Sequence, residues 1–301
     1  MFKGDQRMYF HTKNSAAGLH SNGDNRPERE SLEGCGMRFA LFGDPIGHSL
    51  SPAMHRAAYA SMGLTASYKA YRLADAGEII PRMRSLSLDG ASVTIPHKEG
   101  IAAHLDEVTA NARMIGAVNT VVRQADCFVG DNTDWLGLVR ELQEHVPIRG
   151  NTFAVLGAGG MARAAIFGIL RQGGMPVIFN RTPERGAALV RDFHCPVRPL
   201  AAVADFRADV LINTTPVGMH PYTEQSPVAP ESLPNFRFVM DAVYNPRKTK
   251  LLREAEAAGC TPISGIGLFV RQGAEQIRIW TGREAPAAVM QRVVLAALPE
   301  L

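Results

Sequence analysis

From Met37 onward the chain alternates short apolar runs with stretches in which apolar residues recur at helical spacing. The runs at 38–42, 67–71, 90–94, 117–122, 153–156, 177–179, 210–212 and 238–241 predict strands. Amphipathic segments lie between most of them, and 51–62, closed by Gly63, predicts a helix. Strand and helix in alternation imply a parallel sheet. The chain divides near 134–150, where a helical stretch from Trp135 to Glu144 runs into Pro147 and Gly150 before a new strand begins, a natural hinge. Near the end, 267–280 predicts a helix stopped by Gly282, and Pro286 opens another through Leu298. Periodicity leaves open which domain that pair packs on.

Residues 1–36 break the pattern: Asn14, Ser15, Ser21, Asn22, Asp24, Asn25, Arg26, Pro27 and Glu28 are interspersed with glycines, and no apolar run follows a basic start. This argues against a secretory signal and predicts a disordered leader, with Met37 a candidate true start. At about 150 residues per domain, 301 residues allow two domains. A content of 46% hydrophobic and 20% charged residues marks a globular chain. With 32 basic against 29 acidic residues, the charge of +3 makes no electrostatic case for nucleic acid, so a small molecule is the expected partner. No run approaches the roughly 18 apolar residues that would span a membrane. Cys35, Cys127, Cys195 and Cys260 show neither disulfide nor zinc spacing, which fits a reducing cytoplasm.

Composition says nothing of chemistry, but residues 153–165, FAVLGAGGMARAA, do. An apolar strand is followed by Gly157, Gly159 and Ala162 in GxGxxA spacing and then by a helix-compatible run. Gly157 permits the tight turn, Gly159 lets backbone approach a pyrophosphate, and Ala162 allows close helix packing, leaving phosphates over free N–H groups. About 20 residues on, an NAD-binding fold places a carboxylate on the ribose. Here the strand ends instead in VIFNRTPER, with Asn180, Arg181, Thr182 and Arg185. Guanidinium groups at that place suit a 2′-phosphate, so NADP is preferred to NAD.

The first half offers GDPIGHSLSPAMH at 43–55, in which Ser51 before Pro52 reads as a helix N-cap. Ser49 and Ser51 together also present two hydroxyls at a positive helix end, a cradle for a small carboxylate. His48 and His55 read as packing residues. SVTIPHK at 92–98 ends a strand with Thr94, bends at Pro96 and delivers Lys98, which on composition alone reads as a surface lysine. GAVNTVV (116–122) and VGDNTDW (129–135) each set an Asn-Thr step in apolar sequence, which demands partners if buried and makes Asn119 and Asp134 candidate ligand contacts. A lysine beside a carboxylate in a cleft forms a proton-transfer pair for an alcohol or ketone while hydride moves to or from nicotinamide.

These stretches, together with INTTPVGM, DAVYNPRKT and GIGLFVRQGA, resemble the shikimate dehydrogenase family in order and over nearly all of the chain from Met37 to about Leu298. The resemblance implies an α/β protein of two domains. A substrate domain with a mostly parallel sheet, 37–134, is completed by C-terminal helices in 265–301, and 135–264 is a Rossmann-type NADP domain. It implies NADPH-dependent reduction of 3-dehydroshikimate to shikimate, towards chorismate and aromatic amino acids, with a homodimer among the possible assemblies. Lys98 would be the acid/base and Asp134 its partner on the substrate hydroxyl. Ser49, Ser51 and Tyr244 would hold the carboxylate, and Thr94, Asn119 and Gln272 would contact ring hydroxyls or orient their neighbours. Gly157, Ala158, Gly159, Gly160 and Met161 would hold the pyrophosphate. Asn180, Arg181, Thr182 and Arg185 would hold the 2′-phosphate, with backbone near Ala242 and Gly265 lining the nicotinamide pocket.

Three positions depart from the family pattern. Ser92 stands where many members have Asn, losing an amide; Trp135 replaces a common glycine, implying a bulkier cleft wall; Ala110 stands where some have a polar residue, and takes no role. The rival readings are a quinate or quinate/shikimate dehydrogenase and a non-catalytic NADPH-binding regulator.

Overall fold

The computed structural model describes residues 36–298. The expected leader up to Cys35 lies outside the described residues; Gly36 already abuts Thr65, whose carbonyl accepts from Met37 N at 3.0 Å. The first half holds β1 (Met37–Gly43), α1 (Ser51–Ser61), β2 (Ala66–Arg72), α2 (Ile79–Ser85), β3 (Gly90–Val93), β4 (Glu107–Val108), α3 (Ala110–Ile115), β5 (Thr120–Gln124), β6 (Cys127–Asp131) and α4 (Asp134–Gln143). Then come β7 (Thr152–Leu156), α5 (Gly160–Arg171), β8 (Met175–Asn180), α6 (Pro183–Phe193), β9 (Val197–Pro199), β10 (Ala208–Asn213), β11 (Phe236–Asp241), α7 (Lys250–Ala257), β12 (Thr261–Ile263), α8 (Gly265–Thr281) and α9 (Ala287–Ala297). No helix among the described residues is long and apolar enough to cross a membrane.

The strands form two sheets. One has the order β12-β11-β10-β7-β8-β9, with every pairing parallel. The other has the order β2-β1-β3-β5-β6-β4; it is parallel at β2-β1-β3 and β6-β4 but antiparallel where β5 meets β3 and β6. Each central strand is buried on both faces with a period of two. In β1, Phe39 and Leu41 join Met54, Tyr59 and Ile277, while Ala40 and Phe42 join Ile79, Met83 and Phe128. In β7, Phe153 and Val155 face Leu138 and Ile166, while Ala154 and Leu156 face Phe179 and Leu251.

The structure corrects two local expectations. The strand expected at 117–122 starts only at Thr120, because Val118 N turns aside to the Lys98 carbonyl at 2.7 Å. Ser51 is not the N-cap of α1. Met54 N closes its bond on the Leu50 carbonyl, which makes Leu50 the cap, with no side-chain bond, and Ser51 the first helical residue.

The C-terminal helices pack on the mixed-sheet half: α9 and α8 both lie on α1. Helix α4 bridges the halves, packing on α8 and on α5. A side chain at Gly137 would stand 2.9 Å from the Leu268 carbonyl and 3.0 Å from Gln272 N, so only glycine allows α4 and α8 to come this close. Arg140 of α4 donates to buried Glu275 of α8 at 3.1 Å. Burial pushes that carboxyl up, but Arg278 and Arg140 outweigh it and hold it below its ordinary range.

Candidate active site

The bend of Val118 onto Lys98 sets the loop 117–119 beside the lysine, and the β5–β6 hairpin returns the chain so that 132–134 lies next to it. Lys98 Nζ donates to Asp134 Oδ2 at 2.6 Å, with the two side chains 16% and 5% exposed. Asn119 Nδ2 donates to the other oxygen, Oδ1, at 2.8 Å, and reaches Gln272 Oε1 at 3.4 Å. Asp134 opens α4, whose N-terminus favours a carboxylate. Its own N–H donates to Asn132 Oδ1 at 3.0 Å, and Asn132 Nδ2 donates to the Ala117 carbonyl at 2.9 Å. Nearly every polar atom around the pair is therefore spoken for, as buried groups require.

A second cluster surrounds the start of α1. Ser49 Oγ, one residue before the cap, accepts from Ser51 N at 3.3 Å. Leu50 N donates to Tyr244 Oη at 3.4 Å, and Tyr244 stacks on Phe269 with centroids 4.0 Å apart. Burial raises the Tyr244 hydroxyl, opposed by Leu50 N–H and by Ser49 beside it, so the phenol is a neutral donor at ordinary pH. Ser51 is buried, next to the Tyr68 hydroxyl. Thr94 N donates to the Phe42 carbonyl at 2.9 Å, which brings the end of β3 alongside the end of β1.

The glycine loop faces Lys98. Gly157 has φ +112, and a Cβ there would stand 2.8 Å from Thr214 Oγ1. Gly159 is the N-cap of α5, with no side-chain cap and no acidic residue in the first turn, so the first N–H groups are open to an anion. A Cβ on Gly160 would stand 3.0 Å from Lys98 Cβ, and Ala162 is fully buried under the helix. These bare N–H groups fit a pyrophosphate. One strand over, Asn180 Nδ2 donates to the Thr182 carbonyl at 2.7 Å, shaping a turn from which Arg181 and Arg185 project exposed. Ala242 N donates to the Asn213 carbonyl at 2.9 Å, and a Cβ on Gly265 would lie 2.7 Å from the Ala242 carbonyl, so these two positions adjoin.

The chain at 41–121 matches the family model described as the shikimate dehydrogenase substrate binding domain, and 265–295 that of the shikimate 5'-dehydrogenase C-terminal domain. A shikimate dehydrogenase (NADP(+)) of Methanothermobacter thermautotrophicus is 41% identical over 263 residues, spanning 83% of this chain and 93% of that protein. The chain belongs to the shikimate dehydrogenase family. Shikimate 5-dehydrogenase from Thermus thermophilus, solved in complex with NADP(H) and shikimate, superimposes with a TM-score of 0.80 at 37% identity, covering 87% of this chain and all 100% of that one. Quinate dehydrogenase from Corynebacterium glutamicum in complex with NAD does so with a TM-score of 0.79 at 27% identity, covering 87% of this chain and 99% of that one.

Against the shikimate dehydrogenase pattern, the departures resolve differently. The Trp135 ring packs edge-on against Phe167, 5.3 Å between centroids, in a cluster that also holds Ala117 and Met161 where α4 meets α5. Ala110 is the exposed first residue of α3. Ser92 is buried and fully bonded, between the Tyr68 hydroxyl at 2.6 Å and Gln276 Oε1 at 2.7 Å. Sequence reasoning marked the Asn132-Thr133 step without giving either residue a role, and passed over Gln276. The polar step NTD inside an apolar stretch marked the first two; Gln276, one turn after Gln272 on a helix otherwise apolar on that face, marked the third.

Proposed function

We propose that this protein catalyses the reversible NADPH-dependent reduction of 3-dehydroshikimate to shikimate, with Lys98 as acid/base and Asp134 at its side. The observation that carries the reading is the nearly buried Lys98–Asp134 pair backed against a glycine-rich helix N-terminus. When bound, NADPH supplies hydride to the carbonyl carbon. Lys98 Nζ donates the proton to the carbonyl oxygen and recovers it in the reverse direction. Asp134, with one oxygen on Lys98 and the other on Asn119, keeps the lysine aimed and accepts from the substrate hydroxyl. Ser49, Ser51 and Tyr244 donate hydroxyls to the substrate carboxylate, while Thr94, Asn119 and Gln272 meet the ring hydroxyls. Gly157, Ala158, Gly159, Gly160 and Met161 hold the pyrophosphate; Asn180, Arg181, Thr182 and Arg185 hold the 2′-phosphate; Ala242 and Gly265 line the nicotinamide pocket.

In this reading 37–134 with 265–301 binds substrate and 135–264 binds NADP, the two halves closing on the reacting atoms. A cytoplasmic location is supported by the free thiols of Cys127, Cys195 and Cys260. Quinate dehydrogenase activity is the second reading, favoured by the shared fold of the Corynebacterium glutamicum enzyme; Arg181 and Arg185 weigh against NAD as its cofactor. A regulator without catalysis has no use for the Lys98–Asp134 pair. A spectrophotometric assay of shikimate and quinate, each with NADP and with NAD, tests all three. Shikimate with NADP is expected to give the highest kcat/KM.

A further inference from the structure

We propose that Ser92, Thr120 and Gln276 are positioning residues for the acid/base pair, acting through the side-chain amide of Asn119; the proposal rests on the roles given above to Lys98 and Asp134. Their hydrogen bonds form a chain with a single direction. Tyr68 Oη donates to Ser92 Oγ at 2.6 Å, and Ser92 donates onward to Gln276 Oε1 at 2.7 Å. With that oxygen engaged, Gln276 points Nε2 at the Asn119 carbonyl and at Thr120 Oγ1, both at 3.1 Å. Thr120, accepting there, donates its own proton to Asn119 Oδ1 at 2.7 Å, where Thr133 N also donates at 2.7 Å. Asn119 Oδ1 is thereby held away from the carboxylate, and Nδ2 is left to face Asp134 Oδ1 at 2.8 Å.

An asparagine amide fits such a site in two orientations, and only one gives the carboxylate a donor. The other sets Oδ1 against Oδ1, two buried acceptors with no proton between them. Ser92, Asn119, Thr120, Thr133, Asp134 and Gln276 are all buried, so no bulk water relieves the wrong orientation. Ser92 comes from β3 and Gln276 from α8, so the seating of the C-terminal helix on the mixed sheet acts together with the Thr133 N–H in setting which way Asn119 faces, and with it how the carboxylate holds Lys98.

The test compares Gln276→Met, Thr120→Val and Ser92→Ala with Ile277→Val, a change in the buried apolar core of the same helix. In full-length protein the Asn119 side-chain amide signals, assigned through Asn119→Asp, are recorded by NMR beside steady-state rates with shikimate and NADP. The three chain variants are expected to shift the Asn119 amide signals and lower kcat about tenfold while KM for NADP stays unchanged. Ile277→Val is expected to lower only the thermal midpoint. Parent-like kcat with Asn119 signals in their parent positions overturns the proposal, as does a loss of kcat with those signals unmoved. Should one variant fail to fold, the other two decide. Should the parent fail to oxidise shikimate, the functional reading falls by itself, and the amide signals still decide the positioning claim.

Discussion

In the proposed site the parallel sheet offers mostly backbone: the N–H groups that Gly157, Gly159 and Gly160 leave bare at the start of α5. The mixed sheet offers side chains held by other side chains, with half-buried Lys98 joined to buried Asn119, Asp134 and Gln276 in one network. The antiparallel hairpin makes the difference. It sets the start of β5 beside the end of β6, so Asn119 N meets the Asp131 carbonyl at 3.1 Å and two polar loops share one site. A parallel neighbour would have needed a crossover between them. Binding an anion that diffuses in asks for open donors; moving a proton between fixed atoms asks for a held one.

The sharpest way to break this contrast is at the lysine. Lys98→Ala is expected to lower kcat by about 10²–10⁴-fold, with the NADP dissociation constant unchanged by calorimetry. Near-normal turnover would remove the mixed half from the chemistry. On the other side, Arg181→Ala with Arg185→Ala is expected to cost roughly 10–100-fold in kcat/KM for NADP and to leave the rate with NAD alone, measured with shikimate saturating. Equal losses with both cofactors would show that the arginines serve the fold rather than the phosphate.

Two buried groups, one in each half, respond oppositely to pH. In the mixed half His55 is fully buried, stacked on Tyr68 at 4.2 Å, and burial lowers its pKa from 6.5 to about 4 against the pull of the Ser51 carbonyl. A histidine kept neutral by the fold contributes stability above pH 6.5 that is lost as pH falls towards 4, up to about 3 kcal/mol. In the parallel half Asp241 is fully buried, and burial raises it from 3.8 to about 6 despite donors from Thr249, Val243 and Asn213. That contribution has the opposite sign: it is present below pH 3.8 and is lost as pH rises through 6, by up to about 3 kcal/mol. Urea unfolding between pH 4 and pH 7 is expected to show a flatter acid slope for His55→Phe and to lose the opposing slope in Asp241→Asn. Parent-like slopes in both variants would place the titrating groups elsewhere.

The same contrast explains what was legible in the sequence. The glycine loop stood out because its chemistry lies in missing side chains at fixed spacing; Lys98, on composition alone a surface lysine, took its role only from the family resemblance of its stretch. The β5–β6 hairpin escaped because its turn, Gln124 to Cys127, has no glycine or asparagine; Ala125 takes the positive φ of 54° instead. β4, β9 and β12, two or three residues each, are too short to show a period. Ser51 was misplaced by one residue because Ser-Pro fits both the cap and the first turn, and only the Met54 bond to Leu50 decides. Gln276 was overlooked because a glutamine on an amphipathic helix shows its worth only when Ser92, distant in the chain, is seen beside it.

The central claim is that Lys98, aimed by Asp134, exchanges the proton with shikimate-type substrates while NADP(H) exchanges the hydride. The most direct measurement is kcat/KM for shikimate with NADP, in parent and Asp134→Asn protein from the same preparation, with quinate and NAD run alongside. The account predicts that the parent prefers shikimate and NADP over every other combination and that Asp134→Asn loses most of that rate while still binding NADP. A parent that binds NADP yet oxidises neither substrate, or an Asp134→Asn variant as fast as the parent, would contradict it.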